Sequence, residues 1–120
     1  EFQDLAKKYW EKAGVQHKIE SIIGEGIEVL QSLQDQQRIF DLIFIDADKI
    51  NYDNYYELSL ELITSNGLII IDNMLWGGDV TNSHITDKTT ESIRVLNKKI
   101  LAIHFHYSTL YLHYTFTTQY

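Results

Sequence analysis

Residues 40–49 read Phe-Asp-Leu-Ile-Phe-Ile-Asp-Ala-Asp-Lys, a nearly continuous apolar run that stops at a charged cluster. A similar stretch, Gly-Leu-Ile-Ile-Ile-Asp-Asn, occupies residues 67–73. Short runs of this kind are typical of strands that are buried on both faces of a parallel sheet. We therefore predict two buried strands, at 40–45 and 68–71, with a turn at Asn66-Gly67 before the second.

Helical patterns alternate with these strands. Apolar residues at three- and four-residue steps predict helices over 2–13, from Ile27 into the polar run that ends at Arg38, and over 52–63. Gly14 stands at the expected C-cap of the first helix. A strand followed by a helix and then by another strand indicates an α/β fold with right-handed crossovers.

Three shorter segments complete the predicted order. Residues 18–23 are a short strand candidate, which Gly24-Glu25-Gly26 ends, and residues 74–86 are predicted as a loop. Thr86 or Asp87 offers an N-cap for a last helix through Ala102. Beyond Lys99 the chain has no Asp, Glu, Lys or Arg, and aromatic residues alternate with polar ones, so we predict an antiparallel hairpin within 103–120.

Composition excludes several functions. A chain of 120 residues is at most one domain, and its net charge of −7 argues against nucleic-acid binding. The absence of cysteine excludes disulfides and thiolate metal sites, and no apolar run approaches the roughly 18 residues of a membrane span. We therefore expect a cytoplasmic protein with neither nucleic-acid nor membrane partners.

Polar side chains stand where the two buried strands end, which is where open α/β sheets bind ligands. Asp46, Asp72 and Asn73 would supply the oxygen ligands that a hard cation such as Mg²⁺ prefers. Lys49 would lie close enough to act as a base on a hydroxyl nucleophile. Ordinary capping, turn and solvent-exposed roles remain open for each of these residues, as does a simple turn at Gly24-Glu25-Gly26.

Four stretches together resemble a known family. Residues 40–49, the tyrosine-rich segment 51–56, residues 67–73 and Leu75-Trp-Gly-Gly78 are similar to the cation-dependent O-methyltransferases of the caffeoyl-CoA and catechol type. The opening residues 6–15 resemble the same family, and the match extends over about 1–102. Separate motifs in the right order make this resemblance specific.

The resemblance implies a Rossmann-like methyltransferase sheet and transfer of methyl from S-adenosylmethionine to a small hydroxylated aromatic substrate of the catechol type. It is compatible with a homodimer. It also assigns the site residues. The divalent cation, Mg²⁺ or Ca²⁺, would be held by Asp46, Asp72 and Asn73. Lys49 would be the catalytic base. The cofactor would lie near Glu25, Gly26, Asp46 and Asp48, and the substrate near Tyr55 and Trp76.

The sequence also departs from the family pattern. The glycine-rich cofactor loop of the family precedes the helix that opens this chain and is not present. The charge-free tail replaces the usual ending of the family. We therefore expect residues 1–120 to be a single partial domain, family-like over 1–102 and divergent over 103–120, and truncated and inactive when alone.

Two alternatives belong to other classes. A signalling receiver domain also places an aspartate after an apolar strand, so Asp46 would then be the phosphoryl acceptor. A non-catalytic interaction module would use the aromatic tail to pair with another chain.

Overall fold

Two parallel strands form the centre of the structure. The computed structural model describes residues 2–106, in which β1 (Phe40–Ile45) pairs with β2 (Ile63–Ile71). The register places Ile45 beside Ile71. Both strands therefore run in the same direction and end at the same edge, as predicted.

Four α-helices accompany this pair in the described part of the chain. They are α1 (Phe2–Lys12), α2 (Gly26–Asp35), α3 (Tyr52–Leu62) and α4 (Lys88–His106). Short 3₁₀ turns cover Gln16–Lys18, Lys49–Asn51 and Trp76–Thr81. The predicted α/β architecture is confirmed, and the last turn lies within the segment predicted as a loop.

The ends of α1 and α4 follow from their capping residues. Gly14 has φ +69°, and the amides of Gly14 and Val15 donate to the carbonyls of Glu11 and Trp10, which is the Schellman pattern of a helix end. At α4, Oδ1 of Asp87 accepts from the amides of Thr89 and Thr90 at 3.0 Å. Asp87 is therefore the N-cap of α4.

The hydrophobic core lies on one face of the sheet. Ile43 and Ile69 are paired neighbours on that face, as are Ile45 and Ile71. Helix α3 packs against this face, and α2 and α4 pack on α3. The main buried cluster consists of Ile45, Tyr52, Tyr55, Tyr56, Leu96 and Ile100. This packing holds the start of α3 against the ends of both strands.

The opposite face of the sheet differs from the prediction. Leu42, Phe44 and Leu68 are 55%, 57% and 51% exposed, so the strands are not buried on both faces. The physical reason is that α2, α3 and α4 all lie on the other side of the sheet. An apolar run cannot distinguish a strand covered on two faces from one covered on a single face.

Two local predictions are also corrected. Residues 19–23 follow the 3₁₀ turn Gln16–Lys18 but form no strand, because no strand of the described residues lies beside them to complete a ladder. The Asn66-Gly67 pair does not form a turn before the second strand. It lies inside β2 where the register shifts between Phe40 and Leu42, so β2 begins earlier than predicted.

The predicted C-terminal hairpin is not supported. Helix α4 continues to His106, so residues 103–106 are helical rather than extended. The remainder of the predicted hairpin, 107–120, lies outside the described residues. Within 2–106, no helix combines the length and the apolar character that crossing a membrane requires.

Replacing Ser59 with Ala is expected to raise the free energy of unfolding by about 1 kcal/mol. The Ser59 hydroxyl is fully buried and has no hydrogen-bond partner, so it is desolvated without compensation. Urea denaturation measures the change. Ser32→Ala in α2 is the exposed comparison, in which helix propensity changes together with the loss of one exposed hydrogen bond from Gln36. A loss of stability in Ser59→Ala would contradict the conclusion that the Ser59 hydroxyl has no hydrogen-bond partner.

Candidate functional site

The parallel register brings the two polar strand ends together. Ile45 pairs with Ile71, and the amide of Asp72 donates to the carbonyl of Ile45 at 3.0 Å. Asp46 and Asp72 therefore leave the sheet side by side. The strand-end position predicted from the sequence is the one that the structure shows.

Lys49 contacts several side chains at this edge of the sheet. Its ammonium Nζ lies 3.0 Å from Oδ1 of Asp46, donates to Oη of Tyr52, and stands 6.0 Å from the ring centre of Trp76. Oη of Tyr52 in turn donates to the backbone carbonyl of Asp72 at 3.1 Å. We call these five residues the Lys49 cluster.

The protonation states of this cluster follow from burial and hydrogen bonding. Burial lowers the pKa of Lys49, but the hydrogen bonds to Tyr52 and Asp46 together outweigh it and raise the pKa above its usual value. Burial also raises the pKa of Tyr52, against the effect of Lys49. The ligand-free site therefore holds an ammonium and a neutral phenol.

A strained turn follows β2 and returns Trp76 to the Lys49 cluster. Asn73 and Trp76 have φ +57° and +46°, a region that non-glycine residues seldom occupy. The amide of Asn73 donates to Oδ1 of Asp72 at 2.7 Å, which stabilises the first of these conformations. Gly77 and Gly78, also at positive φ, let the chain continue past Trp76.

A second group of residues surrounds Tyr55. Oη of Tyr55 donates to Oδ1 of Asp48 at 2.6 Å, and Nδ2 of Asn51 donates to Oδ2 of the same carboxylate at 2.7 Å. A Cβ added to Gly26 would lie 3.0 Å from the Tyr55 ring, so the start of α2 approaches this side chain closely. We call Glu25, Gly26, Asp48, Asn51 and Tyr55 the Tyr55 cluster.

The two clusters divide the residues that the sequence singled out. Asp46, Lys49, Asp72 and Trp76 belong to the first, with Asn73 directly beside it. Glu25, Gly26 and Asp48 come together in the second, around Tyr55. Tyr55 thus contacts the predicted cofactor residues rather than Trp76, with which the resemblance paired it on the substrate side.

Sequence reasoning missed Tyr52 and Arg94. Tyr52 follows Lys49 by three residues, a spacing that places two helical side chains on one face and could have indicated their contact. Arg94 donates to the backbone carbonyls of Asp79, Val80, Asn82 and Ile85 and to the Glu91 carboxylate. Since its main partners are backbone atoms, no sequence motif could have revealed them.

The donor set at the strand ends fits a hard cation. Two carboxylates and one amide are available from Asp46, Asp72 and Asn73, and the Asp46 side chain is 52% exposed. Within residues 2–106, no group of three or more His, Cys, Asp or Glu side chains could hold a metal ion. A cation at this edge would therefore depend on the Asn73 amide as well as on the two carboxylates.

Tyr55 is expected to titrate far above an ordinary tyrosine. Its hydrogen bond to Asp48 and its burial raise the pKa to about 12. The difference between the ultraviolet pH titrations of wild type and Tyr55→Phe isolates this group, and Asp48→Asn should return its pKa toward 10. Asp35→Asn, at the far end of α2, is the control and should leave it unchanged. A Tyr55 pKa near 10 in the wild type would contradict the contact.

The same contact makes stability depend on pH. Hydrogen bonding to Tyr55 lowers the pKa of Asp48 below 3.8, so its contribution is present above that pH and is lost as pH falls through the lowered value. The pKa of Tyr55 is raised from 10.0, so the contribution is complete below pH 10 and is lost as pH rises toward about 12. The contact therefore stabilises the fold fully between about pH 4 and pH 10.

Comparison with known proteins identifies the family of this chain. A family model described as O-methyltransferase matches residues 1–104. A Dictyostelium discoideum protein named "Probable caffeoyl-CoA O-methyltransferase 2" is 48% identical over 85% of this chain, and tricin synthase 1 of Oryza sativa is 35% identical over 85%. The chain spans 46% and 45% of the lengths of these two relatives.

Solved structures give the same result. The O-methyltransferase TomG of Streptomyces achromogenes, in complex with S-adenosylmethionine, aligns with a TM-score of 0.76 at 26% identity over 84% of this chain and 46% of its own. A Bacillus cereus O-methyltransferase in complex with S-adenosylhomocysteine aligns with a TM-score of 0.75 at 33% identity over 82% of this chain and 46% of its own. Since the family model, the related sequences and the fold agree, the chain belongs to the O-methyltransferase family.

Proposed function

We propose that this chain supplies the acceptor side of an S-adenosylmethionine-dependent O-methyltransferase whose substrate is a small hydroxylated aromatic molecule. The observation that carries the proposal is the Lys49 cluster, in which the Lys49 ammonium, the Asp46 carboxylate, the backbone carbonyl of Asp72 and the Trp76 indole ring meet at the carboxyl edge of a parallel sheet. Aromatic acceptors suit this edge because Trp76 offers a flat apolar surface beside hydrogen-bonding groups.

Asp46, Asp72 and Asn73 would hold a divalent cation, Mg²⁺ or Ca²⁺. When bound, such a cation supplies positive charge that acidifies an acceptor hydroxyl and disfavours the ammonium form of a nearby amine. Lys49 is the proposed catalytic base and, as the neutral amine, would take the hydroxyl proton at Nζ. S-adenosylmethionine would supply the methyl group that replaces this proton on the hydroxyl oxygen. S-adenosylhomocysteine is the other product.

The Tyr55 cluster is proposed as part of the cofactor side. Glu25 and Gly26 open α2, and Asp48 is fixed by Tyr55 and Asn51. A fixed carboxylate accepts hydrogen bonds from amino and hydroxyl groups, whereas the free amide N–H groups of a helix N-terminus donate to acceptor atoms. A nucleoside-containing cofactor presents both kinds of group. Tyr55 would contribute by holding Asp48 in place, in addition to the substrate contact that the resemblance implies.

Isothermal calorimetry of the chain with S-adenosylmethionine, with and without Mg²⁺, tests this function. Binding in the micromolar range, about −8 kcal/mol, supports it. Asp72→Ala should remove the effect of Mg²⁺, whereas Asp35→Ala should not. Absence of cofactor binding at millimolar concentration would overturn the proposal for this chain, and transfer of labelled methyl to catechol would confirm activity.

Membership of the O-methyltransferase family does not favour the two alternatives. Neither a receiver domain with Asp46 as phosphoryl acceptor nor a purely non-catalytic module is favoured. A homodimer and a cytoplasmic location remain proposals. Sedimentation analysis checks the first of these.

A further inference from the structure

Tyr52 is the side chain that joins the two strand ends. It is the first residue of α3 and is 0% exposed, yet its phenol lies at the polar edge of the site. A helix that starts directly above a strand end can place one long side chain beneath the loop that leaves the next strand. The sequence provides for this by setting Tyr52 three residues after Lys49.

The hydrogen bonds of Tyr52 have a fixed direction. Its O–H donates to the carbonyl of Asp72 at 3.1 Å, so its oxygen accepts from Nζ of Lys49. A protonated lysine can only donate, which agrees with this order. Nζ also lies 4.6 Å from the centre of the Tyr52 ring, so both the ring and the hydroxyl contact the ammonium.

The hydroxyl is not required to fill space. Phenylalanine would occupy nearly the same volume and would avoid the cost of burying a polar group. A buried phenol with two specific partners is therefore evidence for a role in orientation. Those partners are the proposed base and the backbone of a proposed cation ligand.

We propose that Tyr52 is a positioning residue that holds Nζ of Lys49 beside Asp46 and ties it to the end of β2. The proposal rests on the proposed function for the role of Lys49. Because Tyr52 is 0% exposed, we assign its effect to Lys49 rather than to direct contact with a ligand. It acts by limiting the positions that the Lys49 side chain can adopt.

The test measures the chemical reactivity of Lys49 in the ligand-free chain. A limiting amount of an acetylating reagent is added, and peptide mass spectrometry gives the rate at each lysine relative to exposed Lys88. Loss of one hydrogen bond from the ammonium should raise the relative rate at Lys49 about three- to tenfold in Tyr52→Phe. Tyr56→Phe is the matched control, since Tyr56 is also a buried tyrosine of α3 but does not contact Lys49.

The expected result in Tyr52→Phe is an increase at Lys49 alone, with Lys99 unchanged, and in Tyr56→Phe a rate at Lys49 equal to that of the wild type. Unchanged Lys49 reactivity in a folded Tyr52→Phe variant would overturn the proposal. Fluorescence provides a second readout, because Lys49 lies near Trp76. In a Trp10→Phe background, the fluorescence of Trp76 should change in Tyr52→Phe and not in Tyr56→Phe.

A measurement on the wild type covers the case in which Tyr52→Phe does not fold. Nuclear Overhauser contacts from the ε-methylene of Lys49 to the Tyr52 ring are expected, and their absence would overturn the proposal. None of these readouts needs a cofactor, so failure of S-adenosylmethionine to bind would refute the proposed function and leave the geometry of Lys49 tested separately. Where methyl transfer is measured, Tyr52→Phe should lower kcat and leave KM for S-adenosylmethionine unchanged.

Discussion

Replacement of Arg94 with Met is expected to lower the free energy of unfolding by about 2–4 kcal/mol. The guanidinium uses all five of its N–H donors, four of them on backbone carbonyls between Asp79 and Ile85 and one on Glu91. Its side chain is only 14% exposed, so water cannot readily replace it. Met keeps the apolar stem and removes every donor at once.

Urea denaturation monitored by circular dichroism measures this loss. Arg38→Met is the matched control, because Arg38 is more exposed and pairs with Glu20 at 3.3 Å, an interaction worth about 1 kcal/mol or less. Arg94→Lys should recover little, since an ammonium cannot reach four carbonyls in different directions. A loss below about 0.5 kcal/mol in Arg94→Met would show that the loop keeps its conformation without the guanidinium.

Substitution of Leu96 with Ala is expected to cost about 2–5 kcal/mol of stability. Leu96 is fully buried in α4 and packs in one cluster with Tyr52, Tyr55 and Ile45. The cavity left by Ala would adjoin the two tyrosines on which both site clusters depend. In addition to the loss of stability, we therefore expect the hydrogen bonds that hold the side chains of Lys49 and Asp48 to weaken.

Thermal and urea unfolding measure the effect, and Leu101→Ala provides the control. Leu101 lies in the same helix but is about half exposed, so its truncation should change stability by about 0.5 kcal/mol or less. Equal effects at the two positions would mean that Leu96 is not part of the core. Ultraviolet titration of Tyr55 in Leu96→Ala reports whether the site changes as well.

The sequence predicts the strands and their ends better than their surroundings. Apolar runs located β1 and β2, and the aspartates that follow Ile45 and Ile71 do meet at one edge. The prediction that both faces of the strands are buried was wrong. Periodicity shows which residues are apolar but not which of them are covered by another element. The strand predicted at 18–23 failed for the same reason, since a ladder needs a second strand.

Contacts between side chains were predictable only where the spacing was short. Asp46 and Lys49 are three residues apart and pair across the short loop between β1 and the 3₁₀ turn Lys49–Asn51. The approach of Gly26 to Tyr55 joins residues from two helices that only the fold brings together. Arg94 binds backbone carbonyls, which every residue has, so its role had no signature in the amino-acid sequence.

The isolation of α1 has a consequence for amide hydrogen exchange. Among the elements of the described residues, α1 contacts only the 3₁₀ turn Gln16–Lys18, whereas α4 packs on α3 and on the turns at both ends of the site. A helix of 11 residues is barely stable by itself in water. The amide hydrogens of α1 should therefore exchange through local fraying, whereas those of α4 should exchange only when the core opens. We expect two groups of amides with different exchange rates instead of one.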